Sequence, residues 1–204
     1  MKVEELLDKL TAYISESGRE GDISAARASY FRDSGPLHGD EATYDMRIAN
    51  FLEWYIFDRT AGGKTLLEDF VGSIEDSEEK EIYESLKEGV RTVFELKKAD
   101  DKLAHLVDLR NGKRYLAAPT CCMAGLNRGD LLDGRLLPYG GKYYLTGSNI
   151  VHPLKAKKFI VRMIKDAENR QDMGSALRML ANMSLKWERF RNYHLEDIYK
   201  IKEN

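Results

Sequence analysis

His38, Asp40, Glu41 and Asp45 fall within eight residues of one another. An imidazole and three carboxylates at that density form a donor set suited to a divalent cation. Gly35 and Gly39 in the same segment allow close backbone approach, and Glu41 and Asp45, four apart, share one face of a helix. The same residues carry a plainer expectation, in which Asp40 or Glu41 serves the first turn of a helix and His38 is an ordinary loop residue. No His-Glu-x-x-His or comparable spacing accompanies the cluster. Metal-dependent chemistry centred on His38, Asp40 and Asp45 is therefore one of three function classes to be weighed.

Other reactive side chains point less clearly to a reaction. Glu53 lies inside the aromatic run Phe51 to Phe57, where burial would raise its pKa toward that of a general acid, but a structural ion pair is the stronger expectation. Cys121 and Cys122 are adjacent, and His105 and His152 are the imidazoles considered beside them. A cysteine nucleophile needs a base and an electropositive setting; core packing is the simpler role here. There is no Gly-x-Ser-x-Gly elbow, no phosphate-binding Gly-rich loop with lysine and no dinucleotide fingerprint.

Tyr115, Tyr139, Tyr143 and Tyr144 are interleaved with Arg110, Lys113, Arg114, Arg128, Arg135 and Lys142. Aromatics and cations so mixed on short strands are how small barrels hold single-stranded nucleic acid. In a strand, however, Tyr143 and Tyr144 face opposite ways, and tyrosines also complete small cores. Lys157 and Arg162 belong to a basic amphipathic hairpin further on, whose apolar stripe suits packing on the body of the protein or on a second copy. Arg114, Arg135, Lys142, Tyr143, Lys157 and Arg162 thus define the expected surface for a nucleic acid or protein partner.

These residues must be positioned by elements that the apolar periodicity marks out. Val3, Leu6, Leu7, Leu10 and Ile14 make a helical stripe. A second helix is expected from Asp22 to Arg32, and an aromatic third from about Asp40 to Asp58. Gly62-Gly63 reads as a turn, followed by short helices near Thr65–Val71 and Ser77–Glu88. From Gly89 the pattern alternates and is β-branched. Strands are expected at Val90–Leu96, Leu103–Leu109, Arg114–Ala118, Gly129–Leu137, Lys142–Thr146 and Asn149–Val151. Asn111-Gly112 marks a tight turn. Helical periodicity returns over Leu154–Arg170 and Ser175–Tyr193. The fold class is α+β, with a five- to six-stranded barrel or curled antiparallel sheet, OB-like or related, flanked by helices on both sides. The expected division is an acidic helical region over 1–87, a small barrel over 88–152 and a basic helical hairpin over 153–204, which can form one compact unit.

Charge follows that division. The first 87 residues carry 10 basic and 20 acidic side chains, whereas the last 52 carry 12 basic and 7 acidic. This asymmetry serves internal attraction, or a basic surface for an anionic partner. No apolar run approaches the roughly 20 residues that span a bilayer, and the N-terminus has neither the basic nor the apolar region of a signal peptide. Two adjacent cysteines give no disulfide framework. A cytoplasmic setting is expected.

The run Phe51 to Asp58 with Gly63-Lys64-Thr65-Leu66 resembles a pattern in uncharacterised bacterial proteins. So do Leu106 to Leu109, Gly112, Tyr115, Gly129-Asp130, Arg135 to Pro138 and Leu145 to Gly147. Some of those proteins also carry a cysteine-rich SEC-C metal-binding motif, which this chain lacks. The resemblance covers roughly residues 42–151 and implies a shared fold and no particular activity. Taken together, the residues favour a non-catalytic protein that binds or scaffolds a macromolecule, through a protein partner or self-association. The alternatives are a nucleic-acid binder and a metal-dependent enzyme. No cofactor other than a divalent metal is suggested.

Overall fold

The computed structural model describes residues 2–100, 102–119, 125–190 and 192–200. Its centre is a closed β-barrel, and helices cover two sides of it. Five helices precede the barrel: α1 (Val3–Glu16), α2 (Glu20–Ser34), α3 (Tyr44–Phe57), α4 (Leu66–Ser73) and α5 (Ser77–Ser85). Between α3 and α4 runs a two-residue hairpin, β1 (Thr60–Ala61) and β2 (Lys64–Thr65), turned by Gly62 and Gly63, both at positive φ. Local chemistry sets the short helices. Thr65 and Glu68 form a capping box on α4, and the Asp76 carboxylate accepts from the Glu79 amide at the start of α5.

The barrel strands are β3 (Val90–Ala99), β4 (Ala104–Asp108), β5 (Arg114–Pro119), β6 (Leu131–Tyr139) and β7 (Lys142–Leu145), with β8 (Ile150–His152) added beside β6. Neighbours run β3-β4-β5-β7-β6, and β6 pairs back onto β3 to close the ring. All pairs are antiparallel except β5 with β7. That order, with the third and fifth strands parallel, is the closure of an OB-like barrel. Phe94, Leu96, Leu106, Tyr115, Leu132, Leu136 and Leu145 fill its interior.

Three further helices follow, α6 (Lys157–Arg170), α7 (Met173–Arg189) and α8 (Leu195–Ile198). The alternation of β3 and β6 sends their other faces outward, where helices wait. Val93 and Leu131 pack under α6 and α7, while Leu137 packs with the N-terminal helices. Strand β6 is therefore buried on both faces over Leu131–Leu137, the pattern of a strand sandwiched between two layers. At roughly 1.5–3 kcal/mol per large apolar side chain removed from water, these faces tie the helical layers to the barrel. Gly134 marks the tightest approach: a Cβ there would lie 2.1 Å from Asn149 Oδ1. Among the described residues no helix is long and apolar enough to cross a membrane.

Candidate functional site: an arginine-lined cleft over a buried ion network

The outward face of β6 carries two charged residues, Asp133 and Arg135, between its apolar ones. Both are buried, at 0% and 4% exposure. Arg135 stands directly opposite Arg91 of β3 in the register. Two like charges facing each other across a strand pair repel, so carboxylates must intervene. Asp133 Oδ1 lies 2.8 Å from Arg91 Nη2. Arg135 Nη2 donates to Asp58 Oδ2 at 2.5 Å, and its Nε lies 3.8 Å from Glu53 Oε2. Helix α3 supplies Glu53 from its buried face, and Asp58 follows directly after its last turn. The Phe57 ring covers the Arg135 guanidinium, with 4.6 Å from Cζ to the ring centre.

The network is incompletely bonded. Both oxygens of Asp133, Glu53 Oε2, Arg91 Nη1 and Arg135 Nε are buried without a hydrogen-bond partner. The Arg91–Asp133 contact is thus an ion pair off the hydrogen-bond direction. Burial pushes the Asp133 carboxyl up to about 6 against the pull of Arg91, and the neighbouring Glu53 carboxylate adds to the rise. Burial likewise raises Glu53, opposed by Arg135 and Arg91. Arg91 loses to burial but gains from Asp133, and its net shift is upward.

Arg91 also reaches the surface. It lines a cleft of about 500 Å³ together with Trp54, Asp58, Arg110, Arg178 and the amino end of α7 at Asp172–Ser175. A volume of this order accommodates a small ligand or the head of a larger one. Each arginine arrives from a different element, and each is held from behind by an acid. Asp108, fully buried, accepts from the Arg110 amide at 2.8 Å and from Arg110 Nη2 at 3.1 Å, so one carboxylate shapes the β4–β5 turn and aims its arginine. Arg178 Nε donates to Asp33 Oδ2 at the end of α2, 3.1 Å away, and its guanidinium sits 5.7 Å from the centre of the Trp54 ring. Arg110 Nε, like Arg91 Nη1, is buried without a hydrogen-bond partner.

The turn between α6 and α7 brings up the remaining wall. Gln171 adopts a left-handed conformation with φ of 55°, and the Asp172 amide donates to Ala167 O at 2.9 Å. This closes α6 and starts α7 within two residues. The first-turn amides of α7, with the positive end of its dipole, then border the cleft. Asp58 and Asp172 temper the positive field.

The residues singled out by sequence fare differently. Arg135 is not on a surface, because helix α3 covers the outward face of β6. Glu53, its partner, occupies a structural ion pair. Tyr143 turns onto Tyr115 with ring centres 5.1 Å apart, while Tyr144 packs on the helical side, so strand alternation splits the two. Arg114 and Lys142 are exposed on the barrel. Lys157 Nζ donates to Glu95 Oε2 at 2.7 Å, and Arg162 lies over the Phe159 ring.

His38, Asp40, Glu41 and Asp45 do not assemble as ligands; among the described residues no three His, Cys, Asp or Glu side chains are placed to hold a metal ion. The Glu41 carboxylate instead accepts from Arg189 Nε of α7 at 2.6 Å, which ties the loop before α3 to the C-terminal helices. Helix α3 starts at Tyr44, and Thr43 at its N-cap makes no side-chain capping bond. Cys121 and Cys122 lie outside the described residues. His152 is buried beside Tyr199, Nδ1 to Oη 3.0 Å, and burial pulls its pKa down to about 3.

Sequence reading counted Arg178 only among the cations of the basic C-terminal hairpin and gave Arg91 and Asp133 no role, although charged residues within otherwise apolar strand runs were a signal available at both.

A family model described as a family of unknown function, DUF7986, matches residues 38–187. That range takes in the cleft from Trp54 to Arg178. No curated protein and no solved structure matches the chain.

Proposed function

The chain belongs to this family of unknown function, and from the chemistry of the cleft we propose that it is a binding protein whose ligand, or the part of a partner it holds, is a compact anion such as a phosphate or sulfate group. One observation carries the reading: guanidinium groups from three separate elements line a single cleft, each with a carboxylate behind it. A guanidinium held on one edge by a carboxylate is pre-aimed, and its other edge is left for a ligand. The α7 amino end adds backbone donors of the kind that favour anions. The expected macromolecular partner fits this reading if it presents a phosphate or sulfate group.

Thermal unfolding with added sodium sulfate or pyrophosphate, against sodium chloride at equal ionic strength, tests the reading. A ligand at 100 times its Kd stabilises by about 2.7 kcal/mol. Sulfate also stabilises proteins by exclusion from their surface, so the midpoint should rise more in the wild type than in an Arg110→Gln/Arg178→Gln double variant. An equal rise in the two proteins would remove the proposal.

A second reading, single-strand binding on the barrel, is favoured by one feature. The β4–β5 region, part of the face by which OB-like barrels hold oligonucleotides, presents exposed Arg114 and Leu116. Its aromatics, Tyr115 and Tyr143, are turned onto one another, which weakens the stacking platform such binding uses. The fold alone does not decide between the two.

A further inference from the structure

We propose that the cleft takes up a proton together with its anion, and that the buried carboxylate of Asp133 accepts it. The inference rests on the anion reading above and concerns how the same site is regulated. Arg91 belongs to two environments at once, lining the cleft and forming the ion pair that Asp133 makes among the described residues. No hydrogen bond supports either Asp133 oxygen, so the charge of that carboxylate depends on Arg91 more than on anything else beside it.

The charged groups around Asp133 come from each element packed against it. Arg91 faces it from β3, Arg135 from its own strand, Glu53 from α3, Asp58 from the residue that follows α3, and the Tyr30 hydroxyl, itself raised by burial, from α2. Two guanidiniums therefore already serve three carboxylates. An anion in the cleft adds negative charge and draws on Arg91, and the buried carboxylate loses part of its counter-charge. In a site closed to water the least costly response is protonation. Burial has already brought Asp133 to about 6 in the free protein, so a modest further rise carries it through neutrality.

The balance is simple: the free protein and the anion combine with one proton from solvent, which forms the O–H bond of the Asp133 carboxylic acid. No other bond changes. By linkage, affinity rises as pH falls from the pKa of the bound state toward about 6, by up to tenfold per pH unit, and levels off below.

The test is calorimetric titration of the full chain with sodium sulfate, whose dianion does not titrate near neutral pH. It is run at pH 7 in two buffers of different ionisation enthalpy, and then across pH 5.5–8. The expected result is net uptake of a fraction of a proton per sulfate bound at pH 7, together with affinity that strengthens on acidification. Asp133→Asn, which fixes the neutral state, should bind sulfate with an affinity that no longer varies with pH over this range and with no proton uptake. Sulfate binding with no proton uptake and a flat pH profile would overturn this inference and leave the anion reading standing. Uptake that persists in Asp133→Asn would overturn it too, by placing the proton elsewhere. Absence of sulfate binding at every pH would remove the anion reading and this inference with it. If Asp133→Asn does not fold, the ¹³C carboxyl shift of Asp133 in free and sulfate-bound wild type replaces it, and a shift that stays that of a carboxylate on binding contradicts the proposal.

Discussion

Arg91 and Asp133 meet at 2.8 Å with the aspartate wholly buried and the arginine side chain 14% exposed, so one ion pair joins the interior of the protein to its cleft. The pair sits where β3, β6 and α3 come together, beneath the helical layer that hides the outward face of β6. Its energetics govern both the stability of that junction and the electrostatics of the cleft.

Removing one partner leaves the other charged and buried. Asp133→Ala should cost about 3–5 kcal/mol in urea unfolding, because Arg91 then lacks its counter-ion. Replacing both, as in Arg91→Met/Asp133→Leu, should cost distinctly less than Asp133→Ala alone, since apolar groups of similar size avoid the desolvation penalty. A double variant as unstable as the sum of the single ones would show that the pair is not a unit.

His152 and Asp133, both buried, should pull stability in opposite directions on acidification. The folded pKa of His152 is depressed from 6.5 to about 3, so its contribution is present above pH 6.5 and is lost as pH falls, by about 1.4 kcal/mol per unit. Asp133 is raised from 3.8 to about 6, so the native state binds its proton more tightly and gains stability as pH falls from about 6 to about 4. His152→Gln should therefore flatten the acid limb of the stability curve, and Asp133→Asn should steepen it. Chemical denaturation from pH 4 to pH 7 reads both, and unchanged limbs would contradict these assignments.

Gly134 is required by contact. Its missing Cβ leaves room for the Asn149 side chain, whose Nδ2 donates to Thr146 O at 2.6 Å. Gly134→Ala should destabilise by about 1–3 kcal/mol through overpacking, and adding Asn149→Ala should restore most of the loss. A neutral single substitution, measured by thermal unfolding, would show that Asn149 moves aside freely.

Arg135 separates a structural cation from a surface one. Its contacts with Asp58, Glu53 and Phe57 imply a loss of about 3–5 kcal/mol on Arg135→Ala in urea unfolding. Oligonucleotide binding measured on protein that is still folded should not change, whereas Arg114→Glu reports on the exposed barrel face. Weakened binding by folded Arg135→Ala with no effect of Arg114→Glu would reverse that assignment.

Elements with strong periodicity were legible in the sequence. The stripe from Val3 to Ile14 and the alternation after Gly89 each state which face is buried, and turn residues such as Asn111-Gly112 bound the strands. Closure of the barrel was expected in outline, but the pairing of β6 with β3 is a long-range choice that no local pattern encodes. The site was scarcely legible. Arg135 read as a surface cation because strand alternation says only that it points outward, not that α3 lies there. Arg91 and Arg110 meet through the pairing of β3 with β4, whereas Arg178 joins them only when the C-terminal helices dock on the barrel. The dense cluster at His38–Asp45, by contrast, looked like a ligand set because proximity in sequence was all that could be seen. Its Glu41 instead pairs with Arg189, from the far end of the chain.

The central claim, that the arginine-lined cleft is an anion site, is tested most directly by isothermal titration of the wild type and of Arg110→Gln/Arg178→Gln with pyrophosphate at constant ionic strength. The account predicts saturable one-site binding to the wild type, with affinity at least tenfold weaker in the double variant, a difference of about 1.4 kcal/mol or more. No saturable heat with the wild type up to about 1 mM, the concentration that corresponds to roughly −4 kcal/mol, or equal affinity in both proteins, would contradict it.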